Sequence, residues 1–237
     1  MHSVCQKGAI GGGFWQGAVA GLPCAPVPFD ADQTFTSRLR LLLAGKEHFA
    51  REGYEQASTA GIAKAAGTSE SQLVRYFGGK AGLLEAIFNE SWAPLNDEVQ
   101  RLIANAPHAL EAVLGVVSAV TRALGADPEL AVLFLFEGRR IRGGSEVVLS
   151  KGFVQFQELV RSLIRRGQQD GSLRAEFSDV AVTAAVMGAV EGMLRERLVA
   201  ERAGRRAFAE REIRRVFAAL LTGVAARPVE LPGRDTR

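Results

Sequence analysis

Apolar positions recur along most of the chain at the spacing of a helix. From Thr34 onward, Leu41, Ala44, Gly45, His48 and Phe49 fall at i, i+3/i+4 and i+7/i+8, making one apolar face. Gly53 stands where a C-cap glycine ends such a helix. The pattern next predicts a short helix over 58–66 stopped by Gly67, then another over 69–77 broken at Gly78-Gly79. A longer helix is expected over 80–104, followed by helices over 108–124, 128–142, 145–168, 177–201 and 205–225. Pro107 and Pro128 sit near helix starts, where proline is tolerated. Gly143-Gly144, Asp170-Gly171 and Gly204 supply the breaks. No stretch shows the alternation of a strand, so the expected fold class is all-α.

Residues 1–33 have no period. They hold both cysteines, Cys5 and Cys24, and are interrupted by Gly11-Gly12-Gly13, Gly17 and Gly21. A secretory signal is disfavoured, because those glycines break the apolar stretch and Pro23 precedes Cys24 where a small residue would be wanted. The segment is expected to be a Gly/Pro-rich leader that folding and binding do not need. The tail over 227–237, with two prolines and a glycine, is expected to fray. No run approaches a membrane span on this reading, and a cytoplasmic location is expected.

Composition adds little: 47% of positions are hydrophobic, 23% are charged, and the net charge is +3. Its distribution says more. Residues 38–82 carry seven Lys/Arg against four Glu, a local net of +3, while the residues on either side are close to balanced. The chain therefore divides into 1–33 (leader), 34–82 (a small basic three-helix unit), 83–226 (a larger neutral helical domain) and 227–237 (tail). The helix that starts at Lys80 runs from the basic unit into the larger one.

Within the basic unit, STAGIAKAAGTSESQLVRYFGGK over 58–80 has two short helices around a glycine turn, a helix-turn-helix pattern. Ile62, Ala63, Ala66, Leu73 and Phe77 are its apolar positions, and Ala63 must be small where the second helix crosses. Ser69 to Gln72 fits a capping box, which opens a helix N-terminus suited to a phosphate. IAKAAGTSESQLVRYFGGKAGLL, with its Tyr76-Phe77, Lys80 and Leu83-Leu84 spacing, resembles the DNA-binding helices of the TetR family of transcriptional regulators.

That resemblance implies an N-terminal helix-turn-helix DNA-binding domain and a C-terminal helical ligand-binding and dimerisation domain. It implies a homodimer on a double-stranded palindromic operator, repression relieved by an unidentified small-molecule effector, and no cofactor. Tyr76 and Lys80 would bind phosphates, with Ser58, Thr59, Thr68 and Ser69 adding short polar contacts. Ser71, Gln72 and Arg75 would read bases, Arg75 suiting a guanine and Gln72 an adenine. Gln72 could instead be spent on the capping box, and Arg75 on a phosphate. Gly61, His48, Val74 and Glu70 depart from the family pattern. Val74 replaces a common phosphate-contacting tyrosine and Glu70 adds a carboxylate, so fewer phosphate contacts than usual are expected.

In the larger domain, Ala181, Ala185, Gly188 and Gly192 form a small-residue stripe, and Ile213, Val216, Phe217, Leu220 and Val224 an apolar one. Both are expected at the dimer interface, with packing inside the chain as the other reading. The resemblance also implies an apolar effector pocket, for which Trp92, Phe134, Glu137, Phe153, Met187 and Glu191 are candidates. Leu149, Phe153, Phe156, Val160 and Leu163 otherwise read as ordinary core.

No catalytic group and no metal site is expected, since His2, His48 and His108 lack partners at ligand spacing. Neither glycine run follows a strand as a phosphate cradle would. The leading reading is a ligand-responsive dimeric regulator. The alternative is a helical small-molecule-binding or protein-interaction module whose reading head is weakened, for which Gly61, Val74 and Glu70 speak.

Overall fold

The computed structural model describes residues 29–137, 150–223 and 225. In chain order the helices are α1 (Phe29–Glu52), α2 (Thr59–Ala65), α3 (Glu70–Phe77), α4 (Lys80–Asn105), α5 (Ala109–Ala126), α6 (Pro128–Val132), α7 (Lys151–Gln169), α8 (Asp179–Arg202) and α9 (Glu210–Thr222). A π-helical segment, Leu133–Glu137, continues α6. Among the described residues there is no strand, only an isolated bridge between Leu173 and Ala225. The Gly143-Gly144 break, the expected helix start at 145, Leu149, Val224, residues 1–28 and the tail lie outside the described residues.

Three boundaries differ from expectation. Helix α1 begins at Phe29, ahead of Thr34. Helix α7 begins at Lys151, where Ser150 Oγ accepts from the Phe153 N–H at 3.3 Å as an N-cap. Helix α9 begins at Glu210 instead of 205, because α8 closes in a Schellman motif. There Gly204 has φ +64°, its N–H reaches Glu201 O at 3.1 Å, and the Arg205 N–H reaches Ala200 O at 2.9 Å. That geometry turns the chain out of the helix and leaves 205–209 as a connection.

Helices α1 to α3 form the reading head. Phe49, Ile62 and Leu73 are fully buried at its centre, with Ala63 under the α2–α3 crossing as its size required. The remaining helices form the body around α5. With Glu111 and Arg122 as its charged residues, α5 has a mean hydropathy of 1.5 over 18 residues, long and apolar enough to cross a membrane by composition. This corrects the expectation that no run approaches such a length. The helix is apolar on nearly every side because α4, α7 and α9 surround it, and 61% of it is buried.

The body is stapled where α7 crosses α4. Asn89, Trp92 and Asn96 lie on one face of α4 at i, i+3 and i+7 and clasp Gly152. The Gly152 N–H donates to Asn89 Oδ1 at 3.4 Å, and Asn96 Nδ2 donates to Gly152 O at 3.0 Å. A Cβ on Gly152 would sit 2.4 Å from Trp92 Cβ, so glycine sets how closely the helices approach. At the other end of α7, the Nε atoms of Arg161 and Arg165 donate to Asp179 Oδ2 at 2.7 and 2.6 Å, tying α7 to α8. Those bonds hold the Asp179 carboxyl down to about 2. A depressed carboxyl stabilises the fold above its unfolded pKa, so this tie is complete above about pH 4 and weakens as pH falls from there.

Gly152→Ala tests the crossing. Overpacking costs about 1–3 kcal/mol, and alanine's better helix propensity returns roughly 0.5–1 of it. A lowered melting temperature and an altered Trp92 fluorescence are expected. An unchanged melting curve would show that Trp92 yields without cost.

Candidate nucleic-acid interface and effector cavity

Local capping builds the reading head. Ser58 Oγ accepts from the Gly61 N–H at 3.0 Å and caps α2, even without the carboxylate the family pattern would supply at 61. Helix α2 ends in a Schellman motif at Gly67, φ +62°, with Gly67 N–H to Lys64 O at 3.1 Å and Thr68 N–H to Ala63 O at 3.0 Å. Ser69 Oγ then accepts from the Gln72 N–H at 3.3 Å and starts α3. Only that half of the capping box forms, since the Gln72 side chain is turned away: its Oε1 accepts from Thr68 Oγ1 at 2.9 Å.

Eight of the nine side chains expected at the DNA lie on this head, Lys80 opens α4 beside it, and most are paired with one another or with close neighbours. Ser69 Oγ and Ser71 Oγ are 2.9 Å apart, and Thr59 Oγ1 donates to Glu70. Arg75 donates to the Tyr76 hydroxyl at 2.9 Å. Lys80 Nζ donates to Glu55 O at 3.1 Å and lies 4.6 Å from the Tyr54 ring centre. Ser71 and Arg75 are exposed on the outer face of α3, while Leu73 points inward. Two neighbours join them that were not among the nine. Tyr54, braced on Phe49, carries Lys80 at the start of α4, and Val74 is 50% exposed on the same outer face as Ser71 and Arg75.

The body holds an apolar cavity of about 70 Å³, partly open to solvent, between α4, α5, α7, α8 and the π-helical segment. Trp92, Phe134, Phe153, Met187 and Glu191 line it, as expected for pocket residues, together with a wall of valines from α5 and α8. Those valines were missed because a β-branched helix face reads as plain core. Trp92 and Phe134 stack at 4.3 Å with 14° between their planes. Glu191 is ion-paired with Arg195 one turn along α8. Glu137 departs from expectation. It is 6% exposed and lies outside the cavity lining, beside the end of α1, where its Oε1 is 3.9 Å from a Cβ built on Gly53.

The stripes expected at the dimer interface are split by the fold. Ala181, Ala185, Gly188 and Gly192 are exposed on α8. On α9, Ile213 and Phe217 are 0% and 1% exposed and belong to the chain's own core, which corrects their assignment to an interface. The apolar arc of α9 is wide enough to serve two sides: Ile213, Phe217 and Leu221 face inward at i, i+4 and i+8, while Val216 and Leu220 face outward. Among the described residues no group of three or more His, Cys, Asp or Glu could hold a metal ion.

The arrangement is a capped helix-turn-helix joined by one continuous helix to a hollow helical body. A family model described as "Bacterial regulatory proteins, tetR family" matches residues 41–87, which span that motif. Over those residues the chain carries the TetR-family pattern. It is a transcriptional regulator of TetR type, and its helix-turn-helix is the DNA-binding element. The chain is similar to the fatty acid metabolism regulator protein of Bacillus subtilis (strain 168), at 23% identity over 136 residues, 57% of this chain and 70% of that protein. Its fold is similar to that of the fatty acid degradation regulator FadR from Bacillus halodurans, with TM-score 0.70, 21% identity, and 78% and 97% of the two chains covered. It is similar also to FadR from Bacillus subtilis solved in complex with stearoyl-CoA, with TM-score 0.70, 18% identity, and 77% and 96% covered.

Arg75→Ala is expected to cost roughly 1–3 kcal/mol of operator affinity and to relax preference at one base-pair position, measured by anisotropy across single-base variants. Equal losses on all sequences would assign Arg75 to the phosphate backbone.

Proposed function

We propose that this protein is a cytoplasmic homodimeric repressor that reads a palindromic operator with α3 and releases it when an acyl-CoA enters the body cavity. The observation that carries this reading is the cavity's chemistry combined with its connection to the head. Of the residues lining it, only Glu191 carries a charge, which suits a hydrocarbon chain. A relative with the same fold was solved holding stearoyl-CoA. Trp92 in the cavity wall belongs to the same helix as Leu83 and Leu84, which are fully buried where α4 packs under the reading head.

The cavity's size supports a switch. At about 70 Å³ it has roughly half the ~150 Å³ that admits benzene, so a long acyl chain must push its walls apart. A ligand that binds an opened conformer better than the closed one shifts the population between them, and only by that difference in affinity. The closed conformer is the one assigned to DNA binding.

At the DNA, Ser71, Gln72 and Arg75 face base edges, and Val74 supplies an apolar contact suited to a thymine methyl. Tyr76 and Lys80 take phosphates, with Ser58, Thr59, Thr68 and Ser69 at the margins. The dimer forms through the exposed faces of α8 and α9. A Cβ on Gly188 or Gly192 would meet nothing within 4 Å, so the small-residue stripe is open to a second copy, flanked by Phe177, Val216 and Leu220.

The test is binding to the DNA upstream of the protein's own gene, titrated against salt and against acyl-CoAs of increasing chain length. A steep fall with salt, strong preference over random DNA and release by long-chain acyl-CoA are expected. No binding at low salt would favour the module with a weakened head. For the dimer, light scattering is expected to give twice the 25.4 kDa chain mass, and Leu220→Glu a monomer with weakened operator binding. A monomeric wild type at micromolar concentration would refute the interface.

A further inference from the structure

The reading head meets the body at two places. One is α4 itself. The other is the side of α1 that packs on α6 and the π-helical segment. At this second contact Lys46 Nζ lies 2.6 Å from Asp127 Oδ2, a partner 81 positions along the chain. The two side chains are only 12% and 11% exposed. Glu129 Oε2 stands farther off, at 3.7 Å from the same ammonium. A buried pair of this kind is costly to split, because either partner alone is left as an uncompensated charge away from water.

Asp127 does two things at once. Its Oδ1 accepts from the Leu130 N–H at 3.0 Å, which caps α6, while its Oδ2 holds Lys46. One carboxylate therefore sets both where α6 starts and how far α6 stands from α1. Helix α6 has five residues and passes directly into Leu133–Glu137, whose Phe134 is stacked on Trp92 in the cavity wall. Phe134 comes seven residues after Asp127, about 10 Å along a helical path. A chain entering so small a cavity must displace that stack, and the displacement reaches Asp127 through a short rigid element. π-Helical segments of this sort frequently mark functional positions.

We infer that the Lys46–Asp127 pair positions the reading head against the body in its DNA-binding orientation, and that effector entry acts on the head by pulling Asp127 away from Lys46. Asp127 is thus a positioning residue that acts through Lys46 and touches neither DNA nor effector. This rests on the reading of the chain as an effector-released DNA binder. It adds to α4 a second mechanical connection. With α4 alone the head can pivot about one helix; with the pair intact its angle is fixed.

Two substitutions separate the pair from the cap. Asp127→Asn keeps the α6 cap, since asparagine caps as well as aspartate, and removes the charge. Lys46→Met keeps the aliphatic stem and removes the ammonium. Operator affinity of the full chain would be measured for both by anisotropy, alone and with saturating stearoyl-CoA, alongside melting temperatures. Both variants are expected to bind operator at least fivefold more weakly without effector, and stearoyl-CoA is expected to weaken them further by less than half the wild-type factor.

The sign for Asp127→Asn is decisive. Removing a negative charge by itself strengthens DNA binding, so a loss is opposite to the plain electrostatic effect. Operator affinity and effector response within twofold of wild type in both variants, or tighter binding by Asp127→Asn, would overturn the proposal. A wild type that binds operator but ignores every acyl-CoA would sink the effector reading instead, and the sign of the Asp127→Asn effect on operator affinity would still decide this one.

Discussion

The architecture depends on how closely two helices are allowed to approach α4. Near the reading head, α1 presents Gly45, where a Cβ would fall 2.8 Å from Leu83 Cδ2 and 3.2 Å from Ile87 Cδ1. In the body, α7 presents Gly152 against Trp92, where a Cβ would be closer still. At each crossing the absent methyl lets a backbone rest on a large apolar side chain. The first half of the 26-residue α4 is therefore gripped at two points, Leu83 with Ile87 and then Trp92 at its middle. Trp92 borders the cavity on one side and Gly152 on the other, so on the proposed reading a displacement from the cavity side would press on α7. Pro94 stands in α4 two residues beyond Trp92 and removes one backbone donor just past the second of these points.

The reading head was legible in the sequence because its determinants are local. Ser58 and Ser69 cap helices within three residues of themselves, and Gly53, Gly67, Gly78 and Gly79 all take the positive φ that their positions at helix ends demanded. Leu73 and Ala63 were identifiable as buried from period and size alone. Element type was equally plain, as no strand-like alternation competes with the helical period. Five of the six residues proposed for the pocket do line it, since large apolar side chains in the middle of a helical body have few other places to go.

What escaped the sequence reading was non-local. The arc of α9 is apolar over two faces, and nothing in its spacing tells which face meets the chain's own core; Ile213 and Phe217 were therefore misassigned, while Leu220 faces outward. Helix α5 reads as a core helix only once α4, α7 and α9 are seen around it. Lys46 and Asp127 belong to different elements far apart in sequence, so no motif joins them. Glu137, placed in an expected helix over 128–142, instead falls in a π-helical segment. The extra residue per turn rotates its side chain off the register that a 3.6-residue helix would give, toward the end of α1 rather than into the cavity.

The electrostatics of the head can be argued from the same geometry. Glu70 sits in the first turn of α3, where the partial positive charge of the helix end would otherwise attract a phosphate, and it is held there by Thr59. Arg75 is folded onto Tyr76, with its guanidinium carbon 4.9 Å from the ring centre, and Lys80 rests on Tyr54. On the proposed reading, binding any DNA would mean giving up these internal contacts, whatever the sequence. A cognate site replaces them with base contacts of comparable or greater strength; a random site offers only phosphates, with Glu70 repelling one of them. The cost of giving up the internal contacts is common to both modes, so it lowers specific and non-specific affinity alike and leaves their ratio to the base contacts. On the proposed reading, a head with a local excess of only three positive charges draws little on sequence-independent phosphate attraction, so base contacts would carry a larger share of its operator affinity.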